Sequence, residues 1–227
     1  MLSEKISSIF KKISHVALRV GREPDDIKLI AVTKSQPVDK IKEAIDYGLR
    51  IFGENRVQEA KIKIAELKNF NIQWHMIGHL QTNKVKDAVN LFEVIHSVDS
   101  EKLAKFIDKE AEKRGKIQRV LIQVKLSEED TKYGIKEEEV EKLIEVCLNL
   151  KNIKVEGLMT IPPYFENPED VRPYFKKLRQ IRDELNRKGY DFIKELSMGM
   201  SHDFEVAIEE GATMVRIGTA LFGQRID

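Results

Sequence analysis

Cysteine is almost missing from this chain: Cys147 stands alone among 227 residues. An internal disulfide is therefore impossible, and no second thiolate exists for a cysteine zinc site, which fits a reducing compartment. Cys147 lies in a helix-patterned stretch and reads as an inert core thiol. An excess of either charge is missing too. The 39 Lys+Arg are matched by 38 Asp+Glu, a formal net charge of +1, and a phosphate backbone needs a basic face, so nucleic acid is not an expected partner. Long apolar runs are absent. Stretches such as 29–32 fall far short of the ~20 residues that span a bilayer, and no secretory segment follows Met1. The expectation is a soluble, cytoplasmic protein with no membrane partner. No Pro/Gly/Ser-rich linker or low-complexity tract divides the chain, so its length fits one barrel, a unit that reaches roughly 250 residues, or two small domains. There is no GxxxxGK[ST] loop and no GxSxG elbow.

What the sequence does have is alternation. The opening stretch places Leu2, Ile6, Ile9, Ile13, Val16 and Val20 at steps of three and four, one stripe of an amphipathic helix that packs on the domain. Eight short Val/Ile-rich runs follow: 28–33, 50–53, 72–78, 91–98, 118–124, 154–159, 194–199 and 213–218. Helix-period stretches separate them, for example 38–47, 56–67, 100–114, 136–148 and 168–188. Strict alternation predicts a parallel sheet, and continuous apolar runs predict strands buried on both faces. Eight such units point to a single closed (β/α)8 barrel spanning residues 1–227, with the N-terminal helix covering one end. A doubly wound open sheet is the alternative. The Pro-rich stretch 160–171 is expected to be a long loop over the site end.

In such a barrel the strand C-terminal ends carry the chemistry. Lys34 ends the first strand and shares the parity of Ile30 and Val32, so it reads either as a surface lysine or as an amine above an apolar core. Desolvation favours a neutral amine, the form that attacks an aldehyde. The seventh and eighth strands run into turns at Gly199–Ser201 and Gly218–Thr219, where Ser201 or Asp203 is a candidate helix cap. Those two positions are where (β/α)8 enzymes often hold phosphate. Arg216, on the face of Met214, needs an acceptor there, from a rim salt bridge or from a ligand. A lysine, an arginine and a phosphate cradle together fit a phosphorylated aldehyde, of which pyridoxal 5′-phosphate is the common cofactor. His75 and His79, four apart, straddle a strand end over about 13 Å and are not expected to share a metal. The adjacent Ser201, His202 and Asp203 do not make a triad. No metal site is expected.

Six blocks then resemble a known family: AVTKSQP at 31–37, FGENRVQE at 52–59, WHMIGHLQTNK at 74–84, GLMTI at 157–161, ELSMGMSHDFEVAI at 195–208 and VRIGTALFG at 215–223. The chain is similar over its whole length to the pyridoxal phosphate homeostasis proteins (the YggS/PROSC type). The resemblance implies a barrel like the N-terminal domain of alanine racemase, with pyridoxal phosphate held as an aldimine on Lys34. It implies that Arg216 approaches the pyridine nitrogen. It further implies that Ser201, Gly218 and Thr219, with the backbone of Gly199 and Met200, bind the phosphate, and that Asn55, His79 and Met159 face the cofactor. The implied function is intracellular vitamin B6 homeostasis and supply, with pyridoxal-phosphate-dependent apoenzymes as candidate partners and a monomer as the expected state. The competing reading is an amino-acid racemase or decarboxylase of the same fold. A two-base racemase needs a second acid/base, which alanine racemase takes from another domain. The chain ends at Asp227, soon after the last strand, so no such domain is expected, and Tyr133, Tyr164 and Tyr174 are the substitutes within the chain. A sugar-phosphate aldolase is a third reading, but it leaves Arg216 without a role.

Overall fold

A computed structural model describes residues 1–127 and 133–223. Strands β1 (Lys28–Val32), β2 (Ile51–Glu54), β3 (Gln73–Met76), β4 (Val94–Val98), β5 (Gln118–Gln123), β6 (Ile153–Met159), β7 (Glu195–Met200) and β8 (Met214–Ile217) pair in chain order and close into a barrel. The open-sheet alternative is ruled out by the parallel pairing of β1 with β8, from Lys28 opposite Met214 to Ala31 opposite Ile217. Successive side chains on a strand face opposite ways. Ile30, Val94, Leu121, Met159 and Met214 pack together inside the barrel, while Leu29, Ala31, Phe52, Ile95, Ile122 and Val215 join the larger cluster under the helices. Both faces are buried, so the strands read as unbroken apolar runs rather than as a polar/apolar alternation.

Helices α2 (Val38–Asp46), α3 (Val57–Glu66), α5 (Glu101–Glu112), α6 (Val140–Leu148) and α7 (Arg172–Arg187) fall inside the stretches read as helical. A further helix, α4 (Val85–Leu91), escapes the sequence pattern because its seven residues bury only Val85, Ala88 and Val89. It also takes Leu91, so the fourth strand begins at Val94 and not at 91.

The N-terminal helix α1 (Leu2–Arg19) buries Ile6, Ile9, Ile13, Val16 and Ala17, the stripe expected of it. It does not cover a barrel end. It lies along the wall, packed against α8 (Phe204–Glu209), α9 (Thr219–Phe222) and α2. Lys12 pairs with Glu205 at 2.9 Å, and Arg22 donates to the carbonyls of Ile208 and Ala212 at 2.9 and 2.8 Å. The cause is the brevity of α9, whose four residues cannot fill the outer-ring slot after β8. The 18 residues of α1, about 27 Å of helix, fill it instead. None of the described helices is long and apolar enough to cross a membrane.

The β6–β7 contact depends on Gly157, where an added Cβ would lie 2.0 Å from the Glu195 carbonyl oxygen. Gly157→Ala is expected to destabilise the barrel by about 3 kcal/mol, read from the urea-unfolding midpoint. An unchanged midpoint would contradict that close approach.

Candidate functional site

Lys34 lies just past β1, in a turn closed by the Gln36 N–H donating to the Thr33 carbonyl at 2.9 Å. Ser35, third in that turn, has φ 59°, the one positive φ outside glycine among the described residues. Glycine is favoured at this position, and a serine held there costs about 1–2 kcal/mol. Lys34 lines a cavity of about 550 Å³ with Asn55, Arg56, Gly78, His79 and Tyr133. Ile30 is packed inside the barrel, which puts Val32 and then Lys34 on the inward side of the chain.

Behind the turn, between strand and helix, sits a charged cluster that the sequence reading did not single out. Lys63 Nζ donates to the Thr33 carbonyl (2.6 Å), Glu54 Oε1 (2.7 Å) and Glu59 Oε1 (2.6 Å). The Ser35 N–H donates to Glu59 Oε1 and the Thr33 hydroxyl to Glu54 Oε1, both at 2.6 Å. Burial raises the Glu54 carboxyl above its ordinary range, and hydrogen bonds from Lys63 and Thr33 only partly offset it. Burial also pushes Glu59 upward, but its hydrogen bonds from Lys63 and Ser35 outweigh that and hold it below the usual value. The available signal was a glutamate closing the apolar strand run IFGE, with Glu59 and Lys63 four apart on the next helix.

Inside the barrel, Arg216 is 3% exposed. It donates to Ser197 Oγ at 2.6 Å and to the Thr160 carbonyl at 2.9 Å. The expected alternative of a rim salt bridge is not present, since no carboxylate of the described residues lies within 4.0 Å. Burial lowers its pKa to about 10, with Asp203 opposing, so the guanidinium stays charged at neutral pH. Ser197 Oγ lies 2.9 Å from His96 Nδ1, and His96 Nε2 lies 2.9 Å from His75 Nδ1. His75 Nε2, at the far end of this chain, is buried without a partner. Burial pushes His75 down to about 3, helped by Arg119 and Lys28, and drives His96 well below its ordinary value. Both imidazoles are therefore neutral. His96 and Ser197 were not anticipated, although each sits at the inward parity of its strand, two residues after Val94 and Glu195.

The two expected phosphate turns meet. Ser201 Oγ receives the N–H groups of Gly218 (3.2 Å) and Ala220 (3.1 Å). Thr219 is exposed beside them. Neither candidate cap bonds α8 with its side chain: Asp203 stands at the N-cap, but its Oδ1 accepts the Met200 N–H at 2.6 Å. The amide of Met200 is thus already engaged. Gly199 has φ 91°, and an added Cβ would sit 2.5 Å from Ala207 Cβ, so the turn requires glycine. Gly218 abuts β1, with a built Cβ 3.4 Å from Val32 Cβ.

The remaining candidates separate by depth. Asn55 and His79 line the cavity with Lys34. His79 stacks on Tyr133 with ring centroids 3.8 Å apart. Met159 is fully buried below, in the inner cluster with Ile30. His75 and His79 belong to different places, one inside the barrel and one at its mouth. No group of three potential metal ligands converges among the described residues. Cys147 is buried, which pushes its thiol up to about 12.

Residues 8–226 match the alanine racemase N-terminal domain, so the fold and site define a barrel of that type. Alanine racemase from Clostridium difficile 630 shares the fold, with TM-score 0.68 and 19% identity over 96% of this chain and 57% of its own. Other relatives match along their full length. The "Pyridoxal phosphate homeostasis protein" of Aquifex aeolicus is 52% identical over 222 residues, covering 98% of this chain and 97% of that one. Its Escherichia coli K12 namesake is 38% identical over 229 residues, covering 99% and 97%. The solved structure of PipY from Synechococcus elongatus PCC7942, with PLP bound, has TM-score 0.86 and 37% identity over 98% of this chain and 100% of that chain. This chain belongs to the pyridoxal phosphate homeostasis protein family.

The buried histidine pair makes stability depend on pH. Unfolded imidazoles take up protons below about 6.5, whereas the buried pair resists them, His75 down to about 3. Stability is intact above that upper value and is lost as pH falls toward the lower one. Between pH 7 and pH 5 the pair is expected to cost roughly 2–4 kcal/mol, read from urea midpoints. His75→Gln/His96→Gln should reduce that loss, and an equal loss in the double variant would contradict the assignment.

Proposed function

We propose that this chain binds pyridoxal 5′-phosphate, holds it covalently through Lys34, and serves intracellular vitamin B6 homeostasis by keeping the cofactor available to pyridoxal-phosphate-dependent apoenzymes. One observation carries the reading. Across the β1–β8 seam the Lys34 turn, the buried Arg216 and the Ser201/Gly218 turn come together, with Ile30 paired to Arg216 and Gly218 against Val32. The residues fit the group. Two backbone N–H groups already point at one oxygen, Ser201 Oγ, as they would at a phosphate oxygen, with the Thr219 hydroxyl next to them. A PLP-bound relative covers the same length.

The cofactor supplies an aldehyde and an electron-withdrawing ring. Lys34 would hold the cofactor through its Nζ at the aldehyde carbon, with the carbonyl oxygen released as one water. Arg216 would hold the ring nitrogen as a hydrogen-bond donor that keeps its proton, which would make the ring a weaker electron sink. Ser201, Gly218 and Thr219 hold the phosphate, with Gly199 and Met200 shaping the turn. Asn55 and His79 border the amine, and Met159 closes the apolar floor. A cytoplasmic monomer belongs to the same proposal, and light scattering tests the oligomeric part.

The racemase or decarboxylase reading keeps one supporting observation. Tyr133 shares the cavity of Lys34, whereas Tyr164 is 73% exposed and Tyr174 packs on Phe165. Turnover of an amino acid that Tyr133→Phe abolishes would favour it.

Borohydride reduction after loading with pyridoxal phosphate should leave a pyridoxyl group on Lys34 by peptide mapping. An adduct on another lysine, or none, overturns the proposal. Lys34→Ala should lose the adduct and keep part of the affinity. Ser201→Ala/Thr219→Ala should weaken binding about tenfold, some 1.4 kcal/mol for two lost hydrogen-bonding groups. Unchanged affinity would count against the phosphate cradle.

A further inference from the structure

We infer that Lys63, Glu54 and Glu59 form a positioning brace that fixes the backbone on both sides of Lys34, so that its amine is presented to the aldehyde at a set place. This rests on the reading of Lys34 proposed above. The brace grips the two peptide groups that bracket Lys34: Lys63 takes the Thr33 carbonyl at 2.6 Å, and Glu59 takes the Ser35 N–H at 2.6 Å. Glu54 joins them from β2 through Lys63 and the Thr33 hydroxyl. The strained φ of 59° at Ser35 falls at the gripped residue.

Stability alone is a poor reason for such a cluster. Lys63 and Glu54 have side chains only 7% and 0% exposed, and apolar side chains of similar volume commonly serve a buried site as well as an ion pair does. What ions add is direction: hydrogen bonds at fixed points on the chain. A lysine has a flexible four-carbon stem, so anchoring its backbone removes freedom before the amine reacts. The cluster also prevents a rival reaction. Lys63 Nζ is held by three acceptors behind the strand, whereas Lys34 lines the cavity.

The test compares pyridoxal 5′-phosphate with pyridoxine 5′-phosphate, which has the same ring and phosphate but no aldehyde. Glu59 is on the rim of the cluster, 26% exposed, so Glu59→Ala should fold. It is expected to weaken pyridoxal phosphate binding about tenfold, leave pyridoxine phosphate within twofold, and leave the thermal midpoint nearly unchanged. Glu59→Gln, which keeps an acceptor for the Ser35 N–H, should restore most of the difference. Lys63→Met/Glu54→Gln, which removes the buried charges together, should show the same selective loss. Equal weakening of both ligands with a fallen midpoint would make the cluster merely structural and overturn the inference, and so would no change in either. A wild-type chain that binds both ligands equally and takes no borohydride-fixed label on Lys34 would instead remove the reading of Lys34 itself, and the brace with it.

Discussion

The pairing of β1 with β8 is the interaction on which the site depends. Residues 28–31 and 214–217 lie near opposite ends of the chain and meet residue by residue. The entropy cost of closing so long a loop grows only slowly with length, and burial of apolar surface on both sides of every strand offsets it. Were the sheet left open in this same strand order, Lys34 and Gly218 would stand on opposite edges. In the barrel Gly218 rests on Val32. The short α9 leaves a gap outside this seam, and α1 fills it, so the first helix of the chain supports the junction of the first strand with the last.

Polarity is distributed about that seam in two bodies. On three strands the inward parity passes from an apolar to a polar residue toward the C-terminal end: Val94 then His96, Met214 then Arg216, and Ile30 and Val32 then Lys34. The inner body, His75–His96–Ser197–Arg216, holds a cation among neutral partners. The outer body, Lys63 with Glu54 and Glu59, lies on the helix side of β1 and β2. The Lys34 turn stands between the two. Burying either body costs solvation that only well-made hydrogen bonds recover, and each is bonded at 2.6–2.9 Å.

Much of this was legible in the sequence because it is periodic. The eight apolar runs became eight strands, and the stripe Ile6, Ile9, Ile13, Val16 became the buried face of α1. The place of α1 was not legible, because it depends on the shortness of α9, a fact about a distant segment. The helix α4 was too short to show a period. Lys34, Arg216 and the two glycine turns could be named because strand ends in a barrel are informative positions. Their supports could not. Ser197 and His96 look like ordinary strand residues until the barrel sets them side by side, and Glu59 with Lys63 looks like any surface pair four apart on a helix. Only tertiary contact shows that Ser197 and His96 line up behind Arg216, and that Glu59 and Lys63 face the peptide groups around Lys34.

The most direct measurement is a crystal structure of the chain grown with pyridoxal 5′-phosphate. Continuous density is expected from Lys34 Nζ to the former aldehyde carbon, with the phosphate on the Ser201, Gly218 and Thr219 turns and the Arg216 guanidinium at the ring nitrogen. Density joined to another lysine, or a phosphate seated away from those turns, would contradict it.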